Sequence, residues 1–413
     1  MGRAARGSGD RRPGLPPVEH IALNGESGGR RLLLAGLLLV IGVLLLVWGF
    51  MQLLSPGSEW VTIRAGLEEG TTCGEEFTFL YRLGGEPSPR TEQRAVTECY
   101  TRLCRRAYQM FQADETFSDA TGLGDINCRP NTELEVEAPL YRALETVERS
   151  GSRALYLGPV YDRYEGIFFC QEDSQLADFD PRISEEVRLE YQTAADFAND
   201  PESIRLELLG EGRVRLYVSE EYLSYARREG IETFIDFAWM RNAFIADYLA
   251  GELELAGYGR GVLTSYDGFV RNMDRGETDY SLTIYDRREG TAYIAAGMPY
   301  RGPMSAVSLR DFPVSELDSL RFYRLENGEI RTCYVDPADG IDRAALPSLT
   351  CYGADLSCGE ILLAMLPVYV ADAFQAEALD ALSERGIQSV YCQGNGVYST
   401  DPHLALTRLA AEK

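Results

Sequence analysis

Histidine and lysine are all but missing from this chain. Among its 413 residues only His20 and His403 are histidine, and the one lysine is Lys413. That leaves no basis for a Ser-His-Asp triad, a zinc site of several histidines or a histidine proton shuttle. A Schiff-base or P-loop lysine within the folded body is excluded as well. The nine cysteines (Cys73, Cys99, Cys104, Cys128, Cys170, Cys333, Cys351, Cys358 and Cys392) contain no Cys-x-x-Cys pair, so zinc ribbons and thioredoxin-like motifs fail on spacing. Being odd in number, they leave one thiol over even when fully oxidised. The expectation is mostly buried, small apolar thiols, with one or two disulfides if the domain sits in an oxidising space.

Positive charge is scarce too. The formal net charge is -24 and the isoelectric point about 4.6, which disfavours any role in binding nucleic acid. A solvated acidic surface is the plain explanation. Internal repeats, heptad runs and a Gly-x-Gly-x-x-Gly after a strand are absent.

What the chain does have is a long apolar run. Residues 32–54 read LLLAGLLLVIGVLLLVWGFMQLL without a charge, a length sufficient to span a bilayer core as one helix. Arg3, Arg6, Arg11, Arg12, Arg30 and Arg31 precede it, which places the N-terminus in the cytoplasm. The run is longer than the apolar region of a cleaved signal peptide, and no cysteine at its end would take a lipid. The expected organisation is a disordered basic cytoplasmic tail over 1–31, a transmembrane signal anchor over 32–54, a stalk over 55–64 and an extracytoplasmic domain over 65–413. The protein is expected in the cell membrane as a single-pass protein.

The body mixes two periodicities. Phe77, Phe79 and Tyr81 alternate as in a half-buried strand, whereas Ala95, Cys99, Leu103, Ala107 and Phe111 keep a spacing of four, which predicts an amphipathic helix over 91–112. A second helix is expected over 139–150, stopped by Gly151. Hairpins are expected over 204–218, over 281–295 and around Asn327-Gly328, and another helix over 356–365. Residues 173–200 are acidic and show no clear pattern. Hairpins interleaved with helices, without βαβ alternation, argue for an α+β fold with a largely antiparallel sheet.

The stretch from Ile231 to Met273 organises the rest. An apolar lead-in ends at Asp236, a helix carries Ile245, Leu249, Leu253 and Ala256 to a stop at Gly257, and a buried strand from Gly261 ends in Tyr-Asp-Gly. Such a frame can offer backbone groups to a phosphate-bearing ligand. It is equally how α/β layers are built.

Six stretches in order resemble the ApbE family, the FAD:protein FMN transferases. They are Gly70-Thr71-Thr72, the helix and Leu-Gly-Pro within 138–159, Asp236 to Asp247, Thr264 to Phe269, Tyr334 to Gly340, and Ser348-Leu349-Thr350 followed by Gly359-Glu360 and Ala364. The resemblance spans about residues 65 to 400. It implies a two-layer α+β architecture of the T-fold type, with largely antiparallel sheets and packed helices, and a reaction in which Mg2+ polarises the pyrophosphate of FAD. A Thr or Ser hydroxyl of an extracytoplasmic flavoprotein acceptor attacks, and FMN stays on that protein while AMP departs.

This chain departs from the family where the chemistry lies. The resemblance puts the metal ligands at the Trp239 backbone carbonyl, Glu360 and the Ala364 position, which lacks a ligand atom. The family lysine becomes Asn242, the histidine before Asp-Pro becomes Cys333, and glycines become Ala238, Trp239 and Asp267. Asp236, Trp239, Asp267, Gly268, Arg271 and Asp336 are the candidate FAD-pocket residues. Asp236 reads as readily as a helix cap, Asp336-Pro337 as a turn and Trp239 as a core aromatic. Two functions stay open: a membrane-anchored, Mg2+-dependent FMN transferase, and a pseudoenzyme that keeps the scaffold as a flavin-binding or protein-interaction module.

Overall fold

Alternation with a period of two builds the centre of the molecule. In the strand Phe77–Arg82 the side chains of Phe77, Phe79 and Tyr81 are buried while Thr78 and Leu80 are exposed, because successive residues of a strand face opposite sides. That strand pairs antiparallel with Trp60–Ile63 on one side and Gly261–Ser265 on the other. From there an eight-stranded sheet continues through Phe269–Asn272, Met304–Arg310, Ser348–Gly353, Gln388–Gln393 and Gly396–Ser399. All of its pairings are antiparallel.

The two faces of this sheet are covered differently. Leu263, Phe269, Val307, Leu309 and Leu349 turn toward a core shared with three helices: α1 (Pro89–Phe111), α2 (Arg241–Leu255) and α3 (Cys358–Tyr369). Val262, Val270, Met304, Ala306 and Val390 turn the other way. They pack under the hairpin of Asp279–Arg288 and Thr291–Arg301, which contributes Ile284, Ala296 and Met298. Each such side chain fully withdrawn from water stabilises the fold by about 1.5–3 kcal/mol, so the sheet is held from both sides.

The protein is described by a computed structural model over residues 60–66, 71–394 and 396–408, all within one compact unit. The tail over 1–31, the apolar run over 32–54, residues 55–59 of the stalk and Gly70 lie outside the described residues. Among the described residues no helix is long and apolar enough to cross a membrane. Trp60–Ile63, inside the stretch expected as stalk, is already a strand of the large sheet.

The helices read from spacing appear at Pro89–Phe111 and Ala138–Ser150, the latter closed by Gly151 in the left-handed conformation. The hairpin over 204–218 forms as Ile204–Gly210 and Arg213–Val218 and gains a third strand, Glu133–Glu135. Residues 173–200 hold a short 3-10 turn, Asp173–Asp178, and a helix, Glu185–Asn199. The helix Glu220–Glu229 has no counterpart among the expected elements. All nine cysteines are free thiols, so the expected one or two disulfides are not formed. Seven of the nine are buried, where a thiol behaves as a small apolar side chain.

Candidate functional site

The site forms where the lead-in of α2 meets the sheet. Asn127, buried, fixes that lead-in by three bonds: its Oδ1 accepts from the N–H groups of Phe234 and Ile235 at 3.1 and 3.0 Å, and its Nδ2 donates to the Ile235 carbonyl at 2.9 Å. The Asp236 carboxylate then accepts from the Ala238 N–H at 2.8 Å, and the chain makes a 3-10 turn, Ala238–Met240, into α2. Ala238 sits at φ +45°, a left-handed conformation that an L-residue with a Cβ adopts at a cost. The Trp239 carbonyl within this turn accepts from Arg321.

Arg321 is the hub. Its Nη2 donates to the Trp239 carbonyl at 2.9 Å and its Nη1 to Asp267 Oδ2. The same Asp267 oxygen accepts from Asn242 Nδ2 at 3.1 Å. Trp239, Asn242 and Asp267 are buried, and together with Arg321 they wall a cavity of about 330 Å3. Tyr161, Tyr164, Phe168, Phe169 and Tyr266 give it an aromatic lining, and Leu320 and Phe169 stand exposed at its edge.

Four buried polar atoms of the wall lack a well-formed hydrogen bond: Tyr161 Oη and Trp239 Nε1, which face each other, Asp267 Oδ1, and Asn242 Oδ1. The Tyr164 hydroxyl lies instead toward Asp342, Asp180 and Arg331. Buried polar groups are nearly always paired, and each left unpaired costs about 1–3 kcal/mol. Such atoms in one cavity are donors and acceptors open to water or to a guest.

The wall is also acidic. Glu76 is paired with Arg241 at 2.9 Å and Asp267 with Arg321, while Asp114, Asp162, Glu165 and Asp236 line the cavity with no salt bridge to another of the described residues. Burial pushes the Asp236 carboxyl up to about 6, against the pull of the Ala238 N–H and the Arg241 guanidinium. Burial also raises Asp162, helped by the charge of Asp114, and Glu165, helped by that of Asp162. Burial likewise lifts the Cys333 thiol, at the position of the family histidine, to about 11, so it stays protonated and is no nucleophile at neutral pH.

The expected site residues divide into two groups. Asp236, Trp239, Asn242 and Asp267 meet at the cavity. Gly268 lies beside it for a backbone reason: its φ is +107° and a Cβ there would come within 2.3 Å of the Ser308 carbonyl. Arg271, Glu360 and Ala364 do not line the cavity. Arg271 donates to the Leu356 carbonyl at 3.0 Å and faces Asp247 at 3.6 Å. Asp247 in turn accepts from the Cys358 and Gly359 N–H groups, both at 2.8 Å, holding the start of α3. Asp336 accepts from the Ala338 N–H and pairs with Arg343, which makes it a turn residue.

Glu360, expected as a metal ligand, is the third residue of α3. Its carboxylate accepts from the Ser357 N–H at 2.9 Å while Ser357 Oγ accepts from the Glu360 N–H at 3.1 Å, a reciprocal cap of the helix start. Ala364 is buried in α3. The Mg2+ set expected from the resemblance therefore does not fit these residues: the Trp239 carbonyl holds a guanidinium, Glu360 caps a helix and Ala364 has no ligand atom. Among the described residues no group of three His, Cys, Asp or Glu side chains is placed to hold a metal.

Arg321, Tyr161 and Tyr164 escaped the sequence reading. Tyr161 follows directly on the Leu-Gly-Pro that ends at Pro159, so position alone flagged its neighbourhood. Arg321 sits in the linking segment before Phe322–Arg324, and no local pattern separates it from a solvated arginine.

An antiparallel sheet carrying helices on one face and a long hairpin on the other, with a cleft at the start of α2, defines an α+β protein built around one large sheet. It has the fold of the ApbE flavin transferases. The flavin transferase ApbE from Vibrio cholerae superposes with a TM-score of 0.55 at 14% identity, over 83% of this chain and 97% of that one. The apo flavinyl transferase ApbE of Pseudomonas stutzeri gives 0.52 at 13%, over 83% and 93%. The ApbE protein of Thermotoga maritima gives 0.51 at 13%, over 85% and 97%. No protein-family model and no curated protein matches the chain. At such identities the likeness is one of fold.

Proposed function

We propose that the protein is an ApbE-like flavin-nucleotide-binding protein, held at the outer face of the cell membrane by the 32–54 run, whose ligand is FAD and whose residues do not support Mg2+-dependent transfer. The observation that carries this is the aromatic-lined cavity with its incompletely bonded buried polar atoms, Asn242 Oδ1 first among them. An isoalloxazine or adenine ring presents both donors and acceptors at its edges, and the aromatic wall offers stacking area on either side.

Roles follow from the atoms. Tyr161 and the Trp239 indole would donate to ring carbonyl or nitrogen acceptors, and Asn242 Oδ1 and Asp267 Oδ1 would accept from a ring N–H. Arg241 and Arg321 are the cations facing phosphate. The test is titration of FAD into the full-length chain in detergent, followed by flavin fluorescence. Saturable quenching is expected, with Tyr161→Phe and Asn242→Leu each weakening it about 3–10-fold, the worth of one hydrogen bond. Absence of any saturable flavin signal overturns the proposal.

One observation favours FMN transfer as a second reading. Asp236, at about 6, is a carboxylate suited to take a proton from an acceptor hydroxyl near neutral pH. That hydroxyl oxygen would bond to the FMN phosphorus, the pyrophosphate P–O bond would break toward AMP, and the proton would rest on Asp236. Release of AMP with covalent flavin on a Thr- or Ser-bearing acceptor flavoprotein, lost in Asp236→Asn, distinguishes this from binding alone.

A further inference from the structure

The fold brings two thiols of different elements together. Cys73 lies in the turn just before the strand Phe77–Arg82 and Cys104 lies within α1, 31 residues further on. Both are buried. The Cys73 N–H approaches the Cys104 carbonyl at 3.5 Å, and the Cys73 Sγ donates to that same oxygen at 3.3 Å. Standard bond lengths then put the two α-carbons no more than about 7 Å apart, a span at which a disulfide closes. Burial raises the Cys73 thiol, followed by a hydrogen bond to the Cys104 side chain and the charge of that thiol, so the second sulfur is beside the first. Three other buried thiols face oxygen instead: Cys351 the Ser389 hydroxyl, Cys358 the Val270 carbonyl and Cys392 the Tyr285 carbonyl.

We propose that Cys73 and Cys104 form a modification site for a disulfide donor, which closes them into a staple between α1 and the turn that carries Glu76. In the structure both are thiols, so the bond needs an oxidant, and a small-molecule disulfide is one. One protein thiolate attacks a donor sulfur and expels a donor thiolate; the second protein thiolate attacks the mixed disulfide and expels the other. The donor leaves as two thiols that carry away the two protons and the two electrons. Burial shields both sulfurs while the turn is closed, so exchange proceeds through its local opening. The staple bears on the cavity wall: the Glu76 N–H donates to the Cys73 carbonyl at 3.0 Å, and the Glu76 carboxylate holds Arg241 at 2.9 Å. Fastening Cys73 therefore fastens that ion pair, whatever the cavity binds.

Oxidised glutathione is the probe, added to the full-length chain in detergent, in urea below the unfolding midpoint so that the turn opens, until the thiol count is constant. The intact mass should fall by two hydrogens, and peptide mapping should join Cys73 to Cys104. Glutathione carried by the exposed Cys128 adds mass and is told apart. The bond should be missing from Cys73→Ala and Cys104→Ala. A closed ring restricts the unfolded chain, so the oxidised wild type should melt on the order of 3–6 °C above the reduced one, with slower amide exchange over 71–76. Dithiothreitol should reverse both changes. A wild type that keeps these two thiols at equilibrium, or pairs either with another cysteine, overturns the proposal, and so does a bond that lowers the melting point. If the alanine variants fail to fold, the mapped bond in the wild type still decides. Absence of flavin binding would leave this outcome untouched.

Discussion

Asp236 and Ala238 are bound to each other across one residue: the carboxylate of the first accepts the N–H of the second at 2.8 Å, and the second is held at φ +45°. The hydrogen bond fixes the turn that presents the Trp239 carbonyl, and the turn is paid for in backbone strain at an alanine. An L-residue in this region costs about 1–2 kcal/mol, and glycine would relieve it while adding freedom to the unfolded chain. Ala238→Gly should therefore stabilise the protein, by about 0.5–1 kcal/mol, read as a higher urea midpoint with unchanged slope. A lower midpoint would mean that the alanine methyl packs to a degree that outweighs its strain.

The same carboxylate sets a pH dependence. Burial raises Asp236 from 3.8 to about 6, so the folded chain holds that proton more tightly than the unfolded chain. The stability this gives is fully present below the unfolded value and is lost as pH rises through 6, leaving a relative penalty of up to about 3 kcal/mol at neutral pH. Asparagine retains an oxygen for the Ala238 N–H but carries no charge. Asp236→Asn should match the wild type at the acid end of that window and exceed its stability progressively toward neutrality. Urea unfolding at a series of pH values checks this, and parallel curves for the two proteins would contradict it.

How far the sequence could be read depended on the range of the interaction. Elements specified by their own residues were legible: the spacing of four in α1, the alternation in Phe77–Arg82, and Gly257 at the end of α2. Asp236, Trp239, Asn242 and Asp267 were found because one ordered resemblance covers that stretch. Glu360 was misplaced because an acidic residue in an apolar helical run suggests a ligand, whereas Ser357, three residues earlier, made a helix cap available. Arg321 could not be read at all. Its meaning lies in a carbonyl 82 residues away and a carboxylate 54 residues away, and nothing in residues 318–321 records either.

The cap of α3 separates a structural Glu360 from a functional one. Ser357→Ala removes the side-chain oxygen that satisfies the Glu360 N–H and should cost about 1 kcal/mol. Glu360→Ala removes only the reciprocal bond to the Ser357 N–H and should cost about 0.5–1 kcal/mol. Neither should change FAD affinity, because Glu360 lies outside the cavity wall. Thermal unfolding and flavin titration on the same samples report both quantities. A Glu360→Ala protein of normal stability that has lost flavin binding would return this residue to the site.

The segment that delivers Arg321 is anchored by a buried ion pair. Asp318, 1% exposed in its side chain, accepts from Arg310 Nη2 at 2.7 Å and from the Val314 and Ser315 N–H groups. Removing one partner strands the other charge in the interior, at about 3–5 kcal/mol. Asp318→Ala should therefore be strongly destabilising and should also weaken FAD binding, since Arg321 is three residues further along. Asp318→Asn keeps an oxygen for the two N–H groups and should lose less stability. Replacing both partners, Arg310→Met with Asp318→Ala, removes the stranded charge and should recover part of the loss measured for Asp318→Ala by urea unfolding. Exact additivity of the two single losses would show that the pair acts as two independent residues and that the segment is held by its apolar neighbours instead.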